Sequence, residues 1–387
     1  MRSRLYPLAV GNFAVGTGMF VIAGVLPAIS RDLGVSAAVA GQLVTVFALA
    51  YAVLSPLLAA VTARVPRKRL MLVALVLFVI GNVLTVLAPT YPLLLATRVV
   101  AAAGAALFTP TASAVAAELA EPERRGRALA LVMGGLSMAS ALGVPLGTWL
   151  GGEYGWRVTI WLVVGLAVVG GAGVLAQVPE IRIQSSARLR DRFTPLADRG
   201  VLAVLTTQLL VFGGGFTAYT YIASLLDLPL AAVLWAWGIG GIVGNQVSGR
   251  LTDRYGPRRM VFIGIVVATA FIGLIPVANL ALPIALVWAF LWGMVGWLIA
   301  PAQQYRMLAA LPGNVPVGLG LLSSAQYAGM FVAALGGGVA LEQYGRAGVI
   351  GLAVALGAVG VVFTLVTYRP QAVSLPEPES SLGSRTG

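Results

Sequence analysis

The residues best placed to do chemistry are one carboxylate and the arginines around it, in the segment GRLTDRYGPRRM, Gly249–Met260. Asp253 is followed directly by Arg254, and Arg258 comes four residues later. An ionised carboxylate accepts charge-assisted hydrogen bonds from such guanidinium groups. The spacing therefore predicts a latch, by which we mean a polar contact that forms and releases between two parts of the chain.

Bond-making chemistry has no evident candidates. The chain has no histidine and no cysteine, which excludes imidazole bases, thiol nucleophiles, disulfides and the usual zinc sites. A paired acid and base within the apolar segments is also missing from the sequence. We therefore expect no enzymatic activity, no catalytic residue, no metal site and no cofactor.

The latch segment has an altered copy 190 residues earlier, AAVTARVPRKRL, which begins at Ala59. The basic cluster repeats at that offset, but Ala63 stands where the second copy has Asp253. The same offset pairs Tyr154 with Tyr344. Several matches at one offset indicate a duplicated chain, and the missing carboxylate predicts a latch in the second copy alone.

The elements that position these residues must be membrane helices. Apolar residues make up 59% of the chain and charged residues 10%, and the mean hydropathy is +0.94, values far from those of soluble proteins. A spanning helix needs about 20 mostly apolar residues. Twelve stretches of that kind are found, at 7–29, 37–62, 70–88, 92–116, 127–151, 157–178, 200–223, 230–251, 259–278, 281–305, 317–341 and 346–367.

The basic residues lie mostly on one side of the predicted membrane. If the N-terminus is cytoplasmic, the 25 Lys and Arg residues all lie on the cytoplasmic side except Arg31, Arg98, Arg157 and Arg346. This positive-inside bias predicts that both termini are cytoplasmic. The net charge of +12 then serves contact with anionic lipid headgroups, and nucleic-acid binding is not expected.

A long polar interval divides the twelve segments six and six. It predicts an N-terminal six-helix bundle at 1–178, a cytoplasmic linker at 179–199 and a C-terminal six-helix bundle at 200–368. The remaining residues, 369–387, are rich in Pro, Ser and Glu, a composition typical of a disordered tail.

The fifth apolar segment contains GVPLGTWLG, in which Gly143, Gly147 and Gly151 are four residues apart and share one helix face. Small residues at this spacing let two helices touch backbone to backbone. Pro145 removes one helix hydrogen bond and permits a bend. A generic packing ridge is the alternative to a functional motif.

The fourth segment contains Arg98 about a turn and a half from its start. An arginine at this depth either extends to the lipid headgroups or finds a partner inside the protein, because its unpaired burial in a membrane is costly. Both interpretations stay open on the sequence.

These motifs together resemble the major facilitator superfamily. GRLTDRYGPRR matches the loop signature G-x-x-x-D-R-x-G-R-R of that family at Gly249, Asp253, Arg254 and Gly256, with Pro257 inserted before Arg258. GVPLGTWLG is similar to the antiporter motif of the family, and Arg98 with Gly104 to its R-x-x-x-x-x-G pattern. Residues 16–52 and the segment ELAEPERRGRALAL add a likeness to the twelve-helix drug:proton antiporters of the arabinose-efflux and chloramphenicol-resistance group.

The resemblance implies an all-α membrane protein of two pseudo-symmetric six-helix bundles, a monomer in a bacterial cytoplasmic membrane. It further implies alternating access, with Arg98 in proton coupling and the loop and glycine motifs in gating. One departure matters, since many relatives have a glutamate where this chain has Met19. A proton would then need a peripheral acid, for which Asp32 is our candidate, with a helix-end charge as the alternative interpretation.

The side chains expected to line a central cavity are mostly uncharged, which suits a neutral amphipathic solute. Each of them also has the alternative role of an interhelical tie or packing group. They are Asn12, Thr17, Met19, Gln42, Tyr51, Gln208, Phe216, Tyr219, Tyr221, Asn245, Gln326 and Tyr327.

Two expectations concern local structure. The run Gly213–Gly215 in the seventh segment predicts a bend there, because glycine weakens a helix. Five tryptophans are expected in the aromatic belt at the membrane surface, namely Trp149, Trp156, Trp161, Trp235 and Trp237.

The sequence and the resemblance thus predict export of small amphipathic drugs or metabolites in exchange for protons. The alternative is a proton-independent facilitator of a neutral solute, such as a sugar or a nucleoside, which the missing acid in the first segment favours.

Overall fold

A computed structural model of the chain describes residues 2–121, 125–181, 194–311 and 315–367, and these residues are almost entirely helical. The first part of the chain forms α1 (Arg2–Leu33), α2 (Ala37–Val61), α3 (Arg67–Leu87), α4 (Tyr91–Leu119), α5 (Arg125–Met138), a π-helical turn (Ala139–Gly143), α6 (Val144–Tyr154) and α7 (Trp156–Gln177). The second part forms a 3₁₀ turn (Thr194–Ala197), α8 (Arg199–Thr220), α9 (Ile222–Leu225), α10 (Leu230–Tyr255), α11 (Pro257–Gly273), α12 (Ile275–Ala278), α13 (Leu282–Ala310) and α14 (Val315–Val366). Most of the linker and the whole of the tail predicted above lie outside the described residues.

The all-α membrane fold is confirmed, and the count of twelve helices is confirmed in part. Ten helices within the described ranges are long and apolar enough to cross a membrane. Predicted segments 317–341 and 346–367 both fall within α14, where Gly345 (φ 62°, ψ −149°) interrupts the helical backbone. Predicted segment 259–278 is divided between α11 and α12 at Leu274, because Pro276 has no N–H group to continue the helical hydrogen bonds.

The duplication seen in the sequence has a counterpart in the backbone. Helix α3 begins after Pro66, and α11 begins after Gly256, 190 residues later. Gly155 (φ 90°) and Gly345 (φ 62°) both adopt the left-handed backbone that glycine tolerates at no steric cost, at the same offset. Equivalent turns therefore connect equivalent helices in the two copies.

One ion pair lies at the same place in each copy. In the first copy, Arg157 Nη1 contacts Asp32 Oδ2 at 2.5 Å, and Trp156 donates to the same oxygen at 3.0 Å. In the second copy, both terminal nitrogens of Arg346 bond Asp227. The Arg346 guanidinium lowers the pKa of Asp227 to about 2, so this carboxylate stays ionised near neutral pH while the ion pair is formed.

The bundle has two ends, which we name by their residues. The Ser36 end holds Ser36, where α2 begins, and the two ion pairs just described. The Asp253 end holds the two loop segments around Arg64 and Asp253. Helix α1 runs from the Asp253 end to the Ser36 end.

Three of the five tryptophans fit the predicted aromatic belt, because Trp149, Trp161 and Trp235 are 50%, 48% and 38% exposed. The prediction was wrong for Trp156 and Trp237, which are buried. Trp156 bonds Asp32, and Trp237 packs inside the bundle against other aromatic rings. Position along a segment alone does not reveal which way a helical side chain points.

Candidate functional site

The two copies meet in the middle of the bundle through three side chains, which we call the central contact. The rings of Tyr51 on α2 and Tyr327 on α14 are stacked, with centroids 3.6 Å apart and planes 16° apart. The Tyr327 hydroxyl donates to Met19 Sδ on α1 at 3.1 Å. All three residues are at most 4% exposed, so the structure brings together three of the predicted cavity residues.

An aromatic cluster continues from this contact across the bundle. The Phe20 ring lies 5.9 Å from that of Phe216 and 6.1 Å from that of Tyr219. The Tyr219 ring packs 4.7 Å from that of Trp237, which lies 6.1 Å from that of Trp292. The predicted residues Phe216 and Tyr219 thus lie together in this aromatic cluster, whose rings come from α1, α8, α10 and α13.

The sequence analysis missed three members of this cluster, namely Phe20, Trp237 and Trp292. A signal for Trp237 was present in the glycines that follow it on α10. A Cβ on Gly238 would lie 2.3 Å from Ala141 Cα, and one on Gly240 would lie 1.9 Å from the Phe290 carbonyl oxygen. Because other helices approach α10 so closely on both sides, this stretch of α10, with Trp237 beside it, lies in the centre of the bundle.

Arg98 on α4 is 1% exposed, which excludes the interpretation that it extends to the lipid headgroups. Its Nη2 donates to the Gly18 carbonyl at 3.2 Å, and its guanidinium carbon lies 4.8 Å from the centroid of the Phe47 ring. Its Nε and Nη1 are buried without a hydrogen-bond partner. Within the described residues, no carboxylate lies at ion-pair distance from Arg98.

Three of the predicted cavity residues are held by their own half. Asn12 is fully buried, where it donates to the Val132 carbonyl at 3.0 Å and accepts from Thr109 at 2.9 Å. Thr17 bonds the Phe13 carbonyl one turn away. These two residues are interhelical or helical ties, and the structure does not place them on a cavity wall. Gln42 bonds the Ala38 carbonyl of its own helix at 3.4 Å.

The remaining predicted residues lie apart from the central contact or lack a described partner. Gln208 is 3% exposed, and its Oε1 has no hydrogen-bond partner. Asn245 and Gln326 are half-buried. Tyr221 ends α8, and its hydroxyl donates to the Ala334 carbonyl on α14 at 2.7 Å. Thus the predicted set does not form one continuous surface in this structure.

Contacts between the copies continue from the centre to the Ser36 end. Ser36 Oγ donates to Glu342 Oε1 at 3.0 Å and also accepts from the Val39 N–H, where it begins α2. A Cβ on Gly338 would lie 2.8 Å from Gln42 Nε2 and from the Tyr221 hydroxyl. The Ser36 end is therefore closed in this conformation.

The Asp253 end differs. Asp253 is exposed, and no hydrogen bond or ion pair to it is found among the described residues. A Cβ on Gly249 would meet no atom within 4 Å, so the close helix approach that the motif predicts at this glycine is not made here. The contact predicted for the latch is thus not made among the described residues of this end, whereas the opposite end is closed.

The likeness to known proteins agrees with this geometry. A sequence model of the Major Facilitator Superfamily matches residues 8–333 and 232–385. The uncharacterised MFS-type transporter YbcL of Bacillus subtilis (strain 168) is 31% identical over 370 residues, which cover 94% of each chain. The chain belongs to the Major Facilitator Superfamily. It is a multi-pass membrane transporter and not an enzyme.

One further relative and one solved structure resemble this transporter. A chloramphenicol resistance protein of Streptomyces lividans is 35% identical over 261 residues, which cover 65% of this chain and 67% of that protein. The crystal structure of the nucleoside transporter NupG has the same fold, with a TM-score of 0.73, 12% identity and coverage of 94% of this chain and 98% of that one.

The antiporter-like motif of this transporter packs the fifth predicted segment against α1. A Cβ on Gly143 would lie 2.1 Å from Thr17 Oγ1, and one on Gly147 would lie 2.6 Å from Val21 Cγ2. The π-helical turn Ala139–Gly143 immediately precedes Pro145, so the backbone adjusts where the missing N–H group breaks the regular pattern. In this conformation the glycines form a ridge on which α1 packs. The π-helical turn is the irregularity that was predicted near Pro145.

The run Gly213–Gly215, where a bend is expected, lies within α8, which continues to Thr220, so the helix is not broken at these glycines. Gly214 instead allows close packing on α14, where its Cβ would lie 3.0 Å from the Ala353 carbonyl oxygen. The helix is interrupted only at Tyr221 (φ −104°, ψ 15°). Packing of these glycines against a neighbouring helix compensates for their weak helix propensity.

Proposed function

We propose that this transporter exports small amphipathic drugs or metabolites by alternating access, in exchange for protons. The observation that carries the proposal is the central contact of Tyr51, Tyr327 and Met19, which joins the two copies and adjoins the aromatic cluster. Aromatic faces with a few polar groups suit an amphipathic ligand. The name of the Streptomyces lividans relative supports a drug as the exported compound.

Orientation follows from charge. We place the Asp253 end in the cytoplasm by the positive-inside rule, in a bacterial inner membrane, so that the closed Ser36 end faces outward. The halves at 1–178 and 200–368 then part at the cytoplasmic side to admit substrate, and a monomer suffices. Met19 and Tyr327 must separate before a solute can pass between the halves.

Proton coupling is assigned to Arg98, as the resemblance implies, and to Asp32 as the acid. For Asp32 to carry a proton, Arg157 and Trp156 must release its carboxylate, because both donate hydrogen bonds to the charged form. The competing function is a proton-independent facilitator of a neutral solute. It is favoured by the lack of a carboxylate in the central contact and the aromatic cluster.

Everted vesicles test the proposal. Labelled chloramphenicol should accumulate in vesicles that contain the transporter when a proton gradient is applied, and an uncoupler should abolish the accumulation. Equilibration without accumulation, unaffected by the uncoupler, would establish the facilitator instead. Failure to move chloramphenicol or any compound of a drug panel would refute drug export.

The latch gives a second test. Asp253→Asn should impair transport while the protein still folds, because the lost charge-assisted contact is worth about 1.5 to 3 kcal/mol in the conformation with a closed Asp253 end. The chain has no cysteine, so spin labels can be attached at Val65→Cys and Tyr255→Cys without background. In Asp253→Asn, the distribution of distances between the two spin labels should shift toward longer values, as in the conformation in which the two loop segments of the Asp253 end are separated.

A control uses the altered first copy. Ala63→Asp introduces the missing carboxylate into the first copy. The protein should be active without this substitution, and adding it to Asp253→Asn should not restore transport. Unchanged transport kinetics in Asp253→Asn would remove the latch role from this residue.

Substrate charge gives a third test. The central contact holds Met19 where relatives have a glutamate, so uncharged drugs should be exported better than lipophilic cations, whose burial finds no carboxylate. Met19→Glu should extend export toward monovalent lipophilic cations, whereas Met19→Gln, which matches its size without charge, should not. The measurement is resistance of an efflux-deficient bacterium to a charge-matched compound panel. Equal export of cations and neutral drugs by the wild type contradicts this expectation.

A further inference from the structure

The strongest unexplained feature is the positive charge of Arg98. Its side chain is 99% removed from solvent, and one of its three nitrogens has a hydrogen bond, to the Gly18 carbonyl. Nε and Nη1 have no partner among the residues that the structure describes. A buried charge without a partner is unfavourable by far more than an unmade neutral hydrogen bond, so the site is incomplete as it stands.

The surroundings of Arg98 do not complete it. The Phe47 ring covers one face of the guanidinium at 4.8 Å, a cation–π contact that offsets a small part of the burial cost. What is missing is a negatively charged acceptor, and a planar guanidinium matches a carboxylate in shape and charge.

Arg98 contacts α1 and α2, the two helices that carry Met19 and Tyr51 of the central contact. Phe47 and Tyr51 are four residues apart and share one face of α2, and Gly18 precedes Met19 on α1. Tyr51 and Met19 both contact Tyr327 of the other copy. When Tyr327 withdraws, the ring face of Tyr51 is uncovered, one helical turn from the Phe47 ring that covers Arg98.

We propose that Arg98 is the recognition site for the carboxylate of an amphipathic organic monoanion, whose ring takes the place of Tyr327 on Tyr51. This inference rests on the proposed function, because it names the substrate class of the same central site. Neutral drugs use the aromatic cluster alone, whereas an anion also compensates the charge of Arg98. Lipophilic cations are disfavoured by the same charge.

Benzoate and benzamide test the inference, because they share a ring and differ in charge at pH 7. The full-length protein in detergent should bind labelled benzoate at least about tenfold more tightly than benzamide, which corresponds to 1.4 kcal/mol. Arg98→Met should abolish the preference, and Arg98→Lys should retain part of it. Equal binding, tighter binding of benzamide, or no binding of benzoate would overturn the inference.

A second variant keeps Arg98 in place. Met19→Glu supplies a carboxylate beside Gly18, so it should remove the preference for benzoate, whereas Met19→Gln should preserve it. If Arg98→Met does not fold, this pair decides, and a preference that survives in Met19→Glu overturns the inference. A chloride titration distinguishes the source of the anion, because complete displacement of benzoate by chloride at physiological concentration would assign the site to an inorganic ion and refute the organic substrate class.

The outcome is separable from that of the proposed function. Benzoate binding through Arg98, together with failure to move chloramphenicol or any compound of the drug panel, would refute drug export and leave the anion site standing. Proton-driven chloramphenicol accumulation without a benzoate preference would support drug export and overturn the anion site.

Discussion

Arg98→Ala is expected to abolish the accumulation of chloramphenicol against its gradient. Arg98 is buried in contact with α1 and α2. The substitution therefore removes the positive charge that we assign to proton coupling, and it leaves the outer surface of the bundle unchanged. Exchange of chloramphenicol down its gradient should survive, because this uncharged drug needs no counter-charge. Proteoliposomes with and without an imposed proton gradient measure both quantities.

Two controls separate coupling from folding. Arg98→Lys keeps the charge but loses the planar arrangement of donors, so it should restore accumulation in part. Arg31→Ala changes an exposed arginine at the Ser36 end and should have little effect. Normal accumulation per molecule of Arg98→Ala protein would show that Arg98 has no part in coupling.

The second large effect is expected at Gly240 on α10. A methyl group there would lie 1.9 Å from the Phe290 carbonyl oxygen, and a backbone atom inside a helix cannot move aside as the end of a side chain can. Gly240→Ala should therefore destabilise the protein by about 1 to 3 kcal/mol or more. The yield of monodisperse protein and its melting temperature in detergent measure this loss.

Gly249 on the same helix is the matched control, because an added methyl group there meets no atom within 4 Å. Gly249→Ala should fold as the wild type does. If it folds normally but transports poorly, Gly249 is needed only when the Asp253 end closes. A melting temperature of Gly240→Ala equal to that of Gly249→Ala would show that α10 and α13 pack less closely than described.

Hydropathy and charge were sufficient to predict the membrane class and nearly all helical segments, because the lipid forces every spanning segment to satisfy its own backbone. The family was identified from the resemblance of the loop and helix motifs. Spacing was sufficient for the ridge at Gly143 and Gly147, since residues four apart share a helix face whatever they pack against. The irregularity near Pro145 followed from its missing N–H group.

Side-chain direction was the part that the sequence could not provide. Asn12 reads as a cavity residue, yet it ties α1 to Val132 and Thr109. Trp237 reads as a surface residue, yet it stacks in the centre. In a membrane protein, both lipid-facing and buried positions are apolar, so periodicity does not separate them as it does in soluble helices. The run at Gly213–Gly215 stays helical and Gly214 packs closely on α14, a role that the sequence alone did not distinguish from bending, because both use glycine.

The stack of Tyr51 on Tyr327 makes the transporter its own competing ligand. Each ring already occupies the surface that an aromatic substrate would use, so a substrate must displace one side chain from the other before it gains any contact. Apparent affinity is lowered by the fraction of molecules in which the stack is closed. Under the proposed function we therefore expect weak binding of many different compounds, with selectivity for solutes whose contact with the remaining ring is stronger than that of a tyrosine.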